Sequence, residues 1–379
     1  MQREFEIGPI RPPSEAESLL IRVTRNCSWN RCKFCALYKG QRFSTRSVDE
    51  IKEDIDMIAA YRENILKWAS ESERSYSYIQ QKLYDLPEET AHRYMYILQW
   101  LNKGEESVFL QDANTVVLTF DKLIEILEYL RMKLPNVKRV TSYGRVESLA
   151  KFSVPELIAL REAGLDRIHS GYESGSDKVL SLIDKGYTKA QEIEAGQKVK
   201  ASGIELSIYY MPGVGGKDLS DENAIETADV INQTNPDFVR IRTFVAREGT
   251  GLMEEINNGR MTDCTDLEKM QELKKMIKNV HDADGMLYSD HIINLHQNVY
   301  GNLKADKQKM LSIFEDFEKL TLQDQRRYQL ARRMGRVSQL SDMDYLGVEQ
   351  IGKIDEYLSQ LKTDEEFEAF ILRFLRRMI

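Results

Sequence analysis

The sequence is poor in cysteine and proline, and it has no long apolar run. Four cysteines in 379 residues are too few for a disulfide framework. The longest apolar stretches are strand-sized, such as Ser18–Val23, so no segment is expected to span a membrane. The opening Met1-Gln2-Arg3-Glu4-Phe5-Glu6 lacks the apolar core of a signal peptide, and the expected location is cytoplasmic. Positive charge is not in surplus either. With 61 acidic against 53 basic side chains the formal net charge is −8, which disfavours a broad nucleic-acid footprint and leaves only a local basic patch open. What is present is ordinary: 42% hydrophobic and 30% charged residues argue against wholesale disorder. The length suggests one large domain with appendages.

Residues 1–17 read as an extended arm, because Gly8-Pro9-Ile10-Arg11-Pro12-Pro13 suits neither a helix nor a central strand. Strand patterns follow at Leu19–Thr24, Val108–Gln111, Val137–Tyr143, Asp166–Gly171, Ile204–Tyr210 and Phe238–Phe244. Helical patterns lie between them, including Asp121–Lys133, Pro155–Ala163, Lys189–Ala201 and Ser220–Thr234. Six strands spaced by helices predict an α/β fold with a parallel sheet, open or curled into a barrel. Ile51–Glu63 is the expected first helix, and residues 64–106 read as a helical insertion. Strand signals end near Leu252, and 253–379 reads as helical, clearest at Asp263–Val280, Lys304–Leu320, Gln325–Arg336 and Thr363–Met378.

Alternation within the strands separates two faces. Arg22 and Thr24 oppose Ile21 and Val23, and Arg167 and His169 oppose Ile168. Glu205, Ser207, Tyr209 and Met211 oppose Ile204, Leu206 and Ile208, and Arg240 shares a face with Arg242. Sheets covered on both sides are normally near-continuous Val, Ile and Leu. A polar face therefore means either solvent or a wet, ligand-filled cavity, since isolated buried charge is costly.

Cys27, Cys32 and Cys35 fall together directly after the first strand, in Asn26-Cys27-Ser28-Trp29-Asn30-Arg31-Cys32-Lys33-Phe34-Cys35. Three thiolates on one loop can hold three irons of a [4Fe–4S] cube and leave the fourth open. A zinc site completed by Cys264 or a histidine is the competing reading, although no second Cys-x-x-Cys is present.

This loop, its aromatic before the last cysteine, and the five strand–helix units after it resemble the radical S-adenosylmethionine (SAM) superfamily. Gly171-Tyr172-Glu173-Ser174-Gly175-Ser176-Asp177, Tyr210-Met211-Pro212-Gly213-Val214-Gly215-Gly216 and Glu248-Gly249-Thr250-Gly251-Leu252 resemble its Elp3/MiaB/coproporphyrinogen-oxidase-like branch. The likeness covers about residues 18–252, with 253–379 as a helical C-terminal region. It departs from the family in placing four residues, not three, between the first two cysteines.

The resemblance implies a partial (β/α)6 TIM-like barrel and a [4Fe–4S] cluster held by Cys27, Cys32 and Cys35. It also implies SAM bound through its methionine part at the open iron. Phe34 would lie near the adenine. Gln111 and Asp112 stand where the family has Gly-Gly-Glu for amine recognition. Ser142, Tyr143, Arg145 and Glu173 would meet the ribose and sulfonium. Lys185 would face the carboxylate, and Tyr209, Met211, Phe244 and Val245 would flank the adenosine. Residue chemistry alone leaves plainer roles open: Glu173 before the N-cap residues Ser174 and Ser176, Lys185 in a solvated turn, and Gly213–Gly216 as a flexible loop.

The implied activity is reductive cleavage of SAM to a 5′-deoxyadenosyl radical, with an electron donor of flavodoxin or ferredoxin type. Arg240 and Arg242, with Arg22 and Arg167, suit an anionic small-molecule substrate. The alternatives are a tRNA- or protein-modifying enzyme docking through its helical tail and a non-catalytic cluster- or haem-handling protein. Arg326, Arg327, Arg332, Arg333 and Arg336 read as one basic helix face, either solvated or a surface for RNA or an acidic partner. Cys264 reads as a plain buried thiol, and Asp290, His291 and His296 as surface residues or acid–base groups.

Overall fold

Each of the six expected strands is present. In the computed structural model, which describes residues 4–71 and 75–378, they are β1 (Leu19–Arg22), β4 (Ser107–Gln111), β5 (Arg139–Tyr143), β6 (Leu165–Glu173), β7 (Glu205–Tyr210) and β8 (Phe238–Ile241). A two-stranded hairpin, β2 (Thr24–Arg25) with β3 (Ser44–Thr45), flanks the cysteine loop. Residues 1–3 of the expected arm and 72–74 of the expected insertion lie outside the described residues. No helix among the described residues is long and apolar enough to cross a membrane.

The chain divides into two compact units. The first holds the residues up to Ser28, Gly40–His169 and Ala201–Glu205. Its strands run parallel in the order β1-β4-β5-β6. The register pairs Ile21 with Leu110, Leu110 with Ser142, and Ser142 with Ile168. Partners in a parallel ladder share a face, so these side chains form the buried apolar side. On the other side Phe109, Thr141, Tyr143, Arg167 and His169 line up. The expected alternation of Arg167 and His169 against Ile168 is therefore observed.

The first helix is longer than its periodicity suggested, running Val48–Ser70. Ser47 and Glu50 form a reciprocal capping box that starts it. Ile51, Ile55, Ile58 and Ile65 give it a buried stripe. Helices Ser75–Tyr84 and Glu88–Asn102 of the insertion pack against it, as does Phe120–Lys133.

The second unit holds Trp29–Lys39, Ser170–Lys200 and the chain from Leu206 onward. Here β7 and β8 pair in parallel, Tyr209 opposite Arg240 and Tyr210 opposite Ile241. Two further strands correct the expectation of a mostly helical chain without strands beyond Leu252. β9 (Met286–Tyr288) pairs in parallel with β8, and β10 (Tyr300–Asn302) pairs antiparallel with β9. At three residues each, they are too short to leave a period in the sequence.

Helices Gly216–Thr234 and Asp266–Asn279 pack tightly together in this unit. The carboxylate of buried Glu272 joins them to β7. It accepts hydrogen bonds from Ser220 Oγ (2.6 Å), Asn223 Nδ2 (2.6 Å), the Gly213 backbone N–H (3.0 Å) and Tyr210 Oη (2.8 Å). Burial nevertheless pushes its pKa up to about 7.

The expected basic helix is found at Leu322–Arg333, but not as a uniform solvated face. Arg332 and Arg333 are buried. Arg333 grips Asp266 through two hydrogen bonds of 2.6 and 2.8 Å, and Arg332 donates to the carbonyls of Ile292 and Asn294. Arg327 pairs with Asp355. His296, expected on the surface, is buried and stacked on Tyr328 at 5.3 Å between ring centroids.

Candidate functional site

The cysteine loop begins in the first unit. Asn26 turns the chain after β2 with a left-handed φ of +68°, a conformation that asparagine tolerates better than most residues. Its backbone N–H donates to Asp112 (3.2 Å) and its amide to the Arg42 carbonyl (2.7 Å), which delivers half-buried Cys27. Asp112 is fully buried and also accepts from Arg22 at 3.0 Å. The Gln111 side chain points elsewhere: it accepts from the Gly8 backbone N–H (2.7 Å) and ties down the N-terminal arm.

Arg145 is held by Asn114, a residue the sequence had not singled out. Buried Asn114 accepts from the Arg145 backbone N–H (3.0 Å) and donates to Ser28 and Ser148, both at 2.9 Å. It thereby links the residue after Cys27 to the turn after β5. Tyr143 lies edge-on to Phe109 and to His169, with ring centroids 5.1 and 6.1 Å away. Ser142 faces the opposite, apolar side with Leu110 and Ile168, so only Tyr143 of this pair lies on the polar face.

In the second unit Trp29 donates Nε1–H to the Asp184 carbonyl (2.7 Å), and its ring lies where a Cβ on Gly186 would come within 2.4 Å. Gly186 has φ +84°, so glycine is required there twice over. The Lys33 N–H donates to Ile183 (2.9 Å), and the Leu252 N–H donates to the Lys33 carbonyl (2.9 Å). Buried Cys32 and half-buried Cys35 are thereby fastened to two other segments of this unit.

Lys185 Nζ donates to Glu173 at 3.1 Å and lies 5.3 Å from the centroid of Phe34 and 5.9 Å from that of Tyr187. Glu173 closes β6 with a left-handed φ of +67°. Tyr187 Oη donates to the Gly171 carbonyl at 2.6 Å. A Cβ on Gly171 would stand 2.4 Å from Glu173 Oε1, so the pair depends on that glycine. Phe34, Met211 and Phe244 join one apolar cluster with Ile183, Val214 and Leu252, and Val245 beside them is buried. Five candidate residues distant in sequence thus meet in one unit: Phe34, Glu173, Lys185, Met211 and Phe244. Nearby Glu192 is fully buried, and burial holds its carboxyl well above the usual range.

All four cysteines are thiols. Among the described residues no group of three or more His, Cys, Asp or Glu side chains is arranged to hold a metal ion. A single tetrahedral ion gathers its ligands at one point. A cuboidal cluster takes each cysteine at its own iron. Cys264 is buried, and burial beside Glu272 pushes its thiol up to about 12, the opposite of what a ligand needs.

No family model matches the chain. Over 109 residues it is 31% identical to a tRNA-2-methylthio-N(6)-dimethylallyladenosine synthase of Syntrophus aciditrophicus, covering 29% of this chain and 23% of that protein. Over 105 residues it is 29% identical to a tRNA uridine(34) acetyltransferase of Methanocaldococcus jannaschii, covering 27% of this chain and 19% of that protein. The matches therefore span less than a quarter of these relatives' length. The solved coproporphyrinogen III oxidase of Escherichia coli, described as a radical SAM enzyme, is 12% identical over 69% of this chain and 51% of its own, with a TM-score of 0.44. With its three-cysteine loop after the first strand of a parallel α/β fold and its partial likeness to these curated proteins, the chain is similar to the radical SAM superfamily.

Proposed function

We propose that the chain is a radical SAM enzyme whose cluster is held by Cys27, Cys32 and Cys35. The observation that carries this reading is the fastening of Cys32 and Cys35 beside Phe34, Lys185 and Glu173. Bound there, a [4Fe–4S] cluster and SAM supply one-electron cleavage of the sulfonium and a 5′-deoxyadenosyl radical for hydrogen abstraction. A low-potential donor of flavodoxin or ferredoxin type provides the electron.

The chain's own residues bind, orient and exclude water. Lys185, already balanced by Glu173, faces the carboxylate of SAM's methionine part. Phe34, Met211, Phe244 and Val245 form an apolar wall for the adenosine. In the first unit Asn114 holds the Arg145 backbone and Ser28, the residue after Cys27. In this reading residues 18–252 carry the cofactors, 1–17 form the arm and 253–379 form the helical C-terminal region.

Anaerobic reconstitution tests the proposal. The native chain is expected to gain the broad absorbance near ~400 nm of thiolate-bound iron–sulfur and to release 5′-deoxyadenosine from SAM with dithionite. Cys32→Ala is expected to lose both. An unchanged spectrum in Cys32→Ala, or no nucleoside from the loaded native protein, would count against it. The curated relatives above are named for tRNA, so a nucleotide substrate is the second reading. A gel shift with total tRNA that weakens with salt would support it.

A further inference from the structure

Sequence alternation puts four arginines on polar strand faces, and the structure sorts them. In the first unit Arg167 makes a two-pronged pair with Glu205, at 2.8 and 2.7 Å. Arg22 is bound by Asp112 at 3.0 Å. Both already have carboxylates at contact distance. In the second unit Arg240 and Arg242 share Asp290 as their one carboxylate partner among the described residues, at 3.5 and 4.0 Å, the second too long for a hydrogen bond.

The two sit in an ordered frame. Arg240 is buried, with Tyr209 opposite it on β7 and Tyr288 opposite it on β9. Its guanidinium lies 5.2 Å from the Tyr288 centroid, and that of Arg242 lies 5.3 Å from the Tyr209 centroid. Aromatic faces hold the guanidinium planes while leaving N–H groups to donate. Arg240 Nε, Arg242 Nη1 and Ser207 Oγ are buried on this face without a hydrogen-bond partner among the described residues. The loop bearing Asp290 is pinned by Asn294, which donates to the Ile241 carbonyl (3.0 Å) and Ser289 Oγ (3.1 Å) and accepts from the Thr243 N–H (3.1 Å) and hydroxyl (2.8 Å). His291 is kept neutral by burial and by the charges of Arg242 and Arg332, its pKa down to about 4. Two positive charges therefore face one half-exposed carboxylate.

We infer that Arg240 and Arg242 form an oxyanion-binding site, for a phosphate or carboxylate group of the substrate, with Asp290 as the internal competitor that the anion displaces. Guanidinium pairs recognise such groups through paired N–H donors. The role as a substrate subsite rests on the enzymatic reading above; the binding itself does not.

The test uses the apo chain, with inorganic phosphate and acetate titrated separately by calorimetry at low ionic strength. One saturable site is expected, for phosphate or for acetate, and which anion binds identifies the class. Arg242→Gln and Arg240→Gln are expected to weaken it by about tenfold or more, the loss of one charge-assisted contact. Asp290→Asn, on the exposed loop side, is expected to tighten it. Absence of saturable binding, or binding unmoved by both arginine variants, overturns the inference, as does an Asp290→Asn variant that binds no more tightly. No cluster is present in this assay. Failed reconstitution therefore leaves it interpretable, and failed anion binding leaves the cluster assignment standing.

Discussion

Lys185 donates to Glu173 at 3.1 Å while its ammonium group lies over the ring of Phe34, so one buried cation serves an acid and an aromatic at once. The side chains of the pair are only 6% and 11% exposed. Removing one member of such a pair strands the other and costs about 3–5 kcal/mol, whereas replacing both costs much less. Lys185→Met should therefore lower the unfolding midpoint more than the double variant Lys185→Met/Glu173→Gln. Both should lose SAM affinity. Thermal unfolding and equilibrium dialysis with SAM read the two effects separately.

Gly186→Ala should damage the cysteine loop. The new Cβ would meet the Trp29 ring at 2.4 Å, and alanine is strained at φ +84°. Together these should cost about 1–3 kcal/mol and lower the iron content after reconstitution. Gly203→Ala, also at positive φ but with nothing within 4 Å, should lose stability and keep its iron.

Glu272 should make stability depend on pH. Its pKa rises from an ordinary 4.5 to about 7 because burial outweighs its four donors. The folded state thus holds this proton more tightly than the unfolded chain. The resulting stability is complete below pH 4.5 and disappears as pH rises through 7, a loss of at most about 3 kcal/mol. Glu272→Gln should flatten that slope in urea unfolding measured between pH 5 and 8. A parallel slope in the variant would refute the assignment.

Arg333→Met should destabilise the helical C-terminal region by about 3–5 kcal/mol, because Asp266 is left buried and unpaired. If tRNA binds, Arg333→Met at a temperature where it remains folded should leave that affinity unchanged, because Arg333 is not on the surface. Urea unfolding and the tRNA gel shift decide between these two roles.

Much of the fold was legible because it rests on local patterns. Pro155 in the first turn of helix Val154–Glu162 and alternation along β6 are properties of a few neighbouring residues. The fate of the charges was not legible. Arg167 and Glu205 are 38 positions apart, and Arg333 and Asp266 are 67 apart. Nothing near Arg333 distinguishes it from Arg327, yet one is in the core and the other is not. The role of Asn114 was equally hidden, because an amide that both donates and accepts shows its use only when all three partners are in place. Ladder register puts Ser142 on the apolar side with Leu110 and Ile168, and Tyr143 on the other.

The last strand has a bearing on handling the protein. β10 ends the strand order, is three residues long, and carries Gly301, where a Cβ would collide with Asp306 at 2.6 Å. So brief a margin offers a stray peptide almost no ladder to extend. Concentrated samples should resist fibril-like self-association through that border.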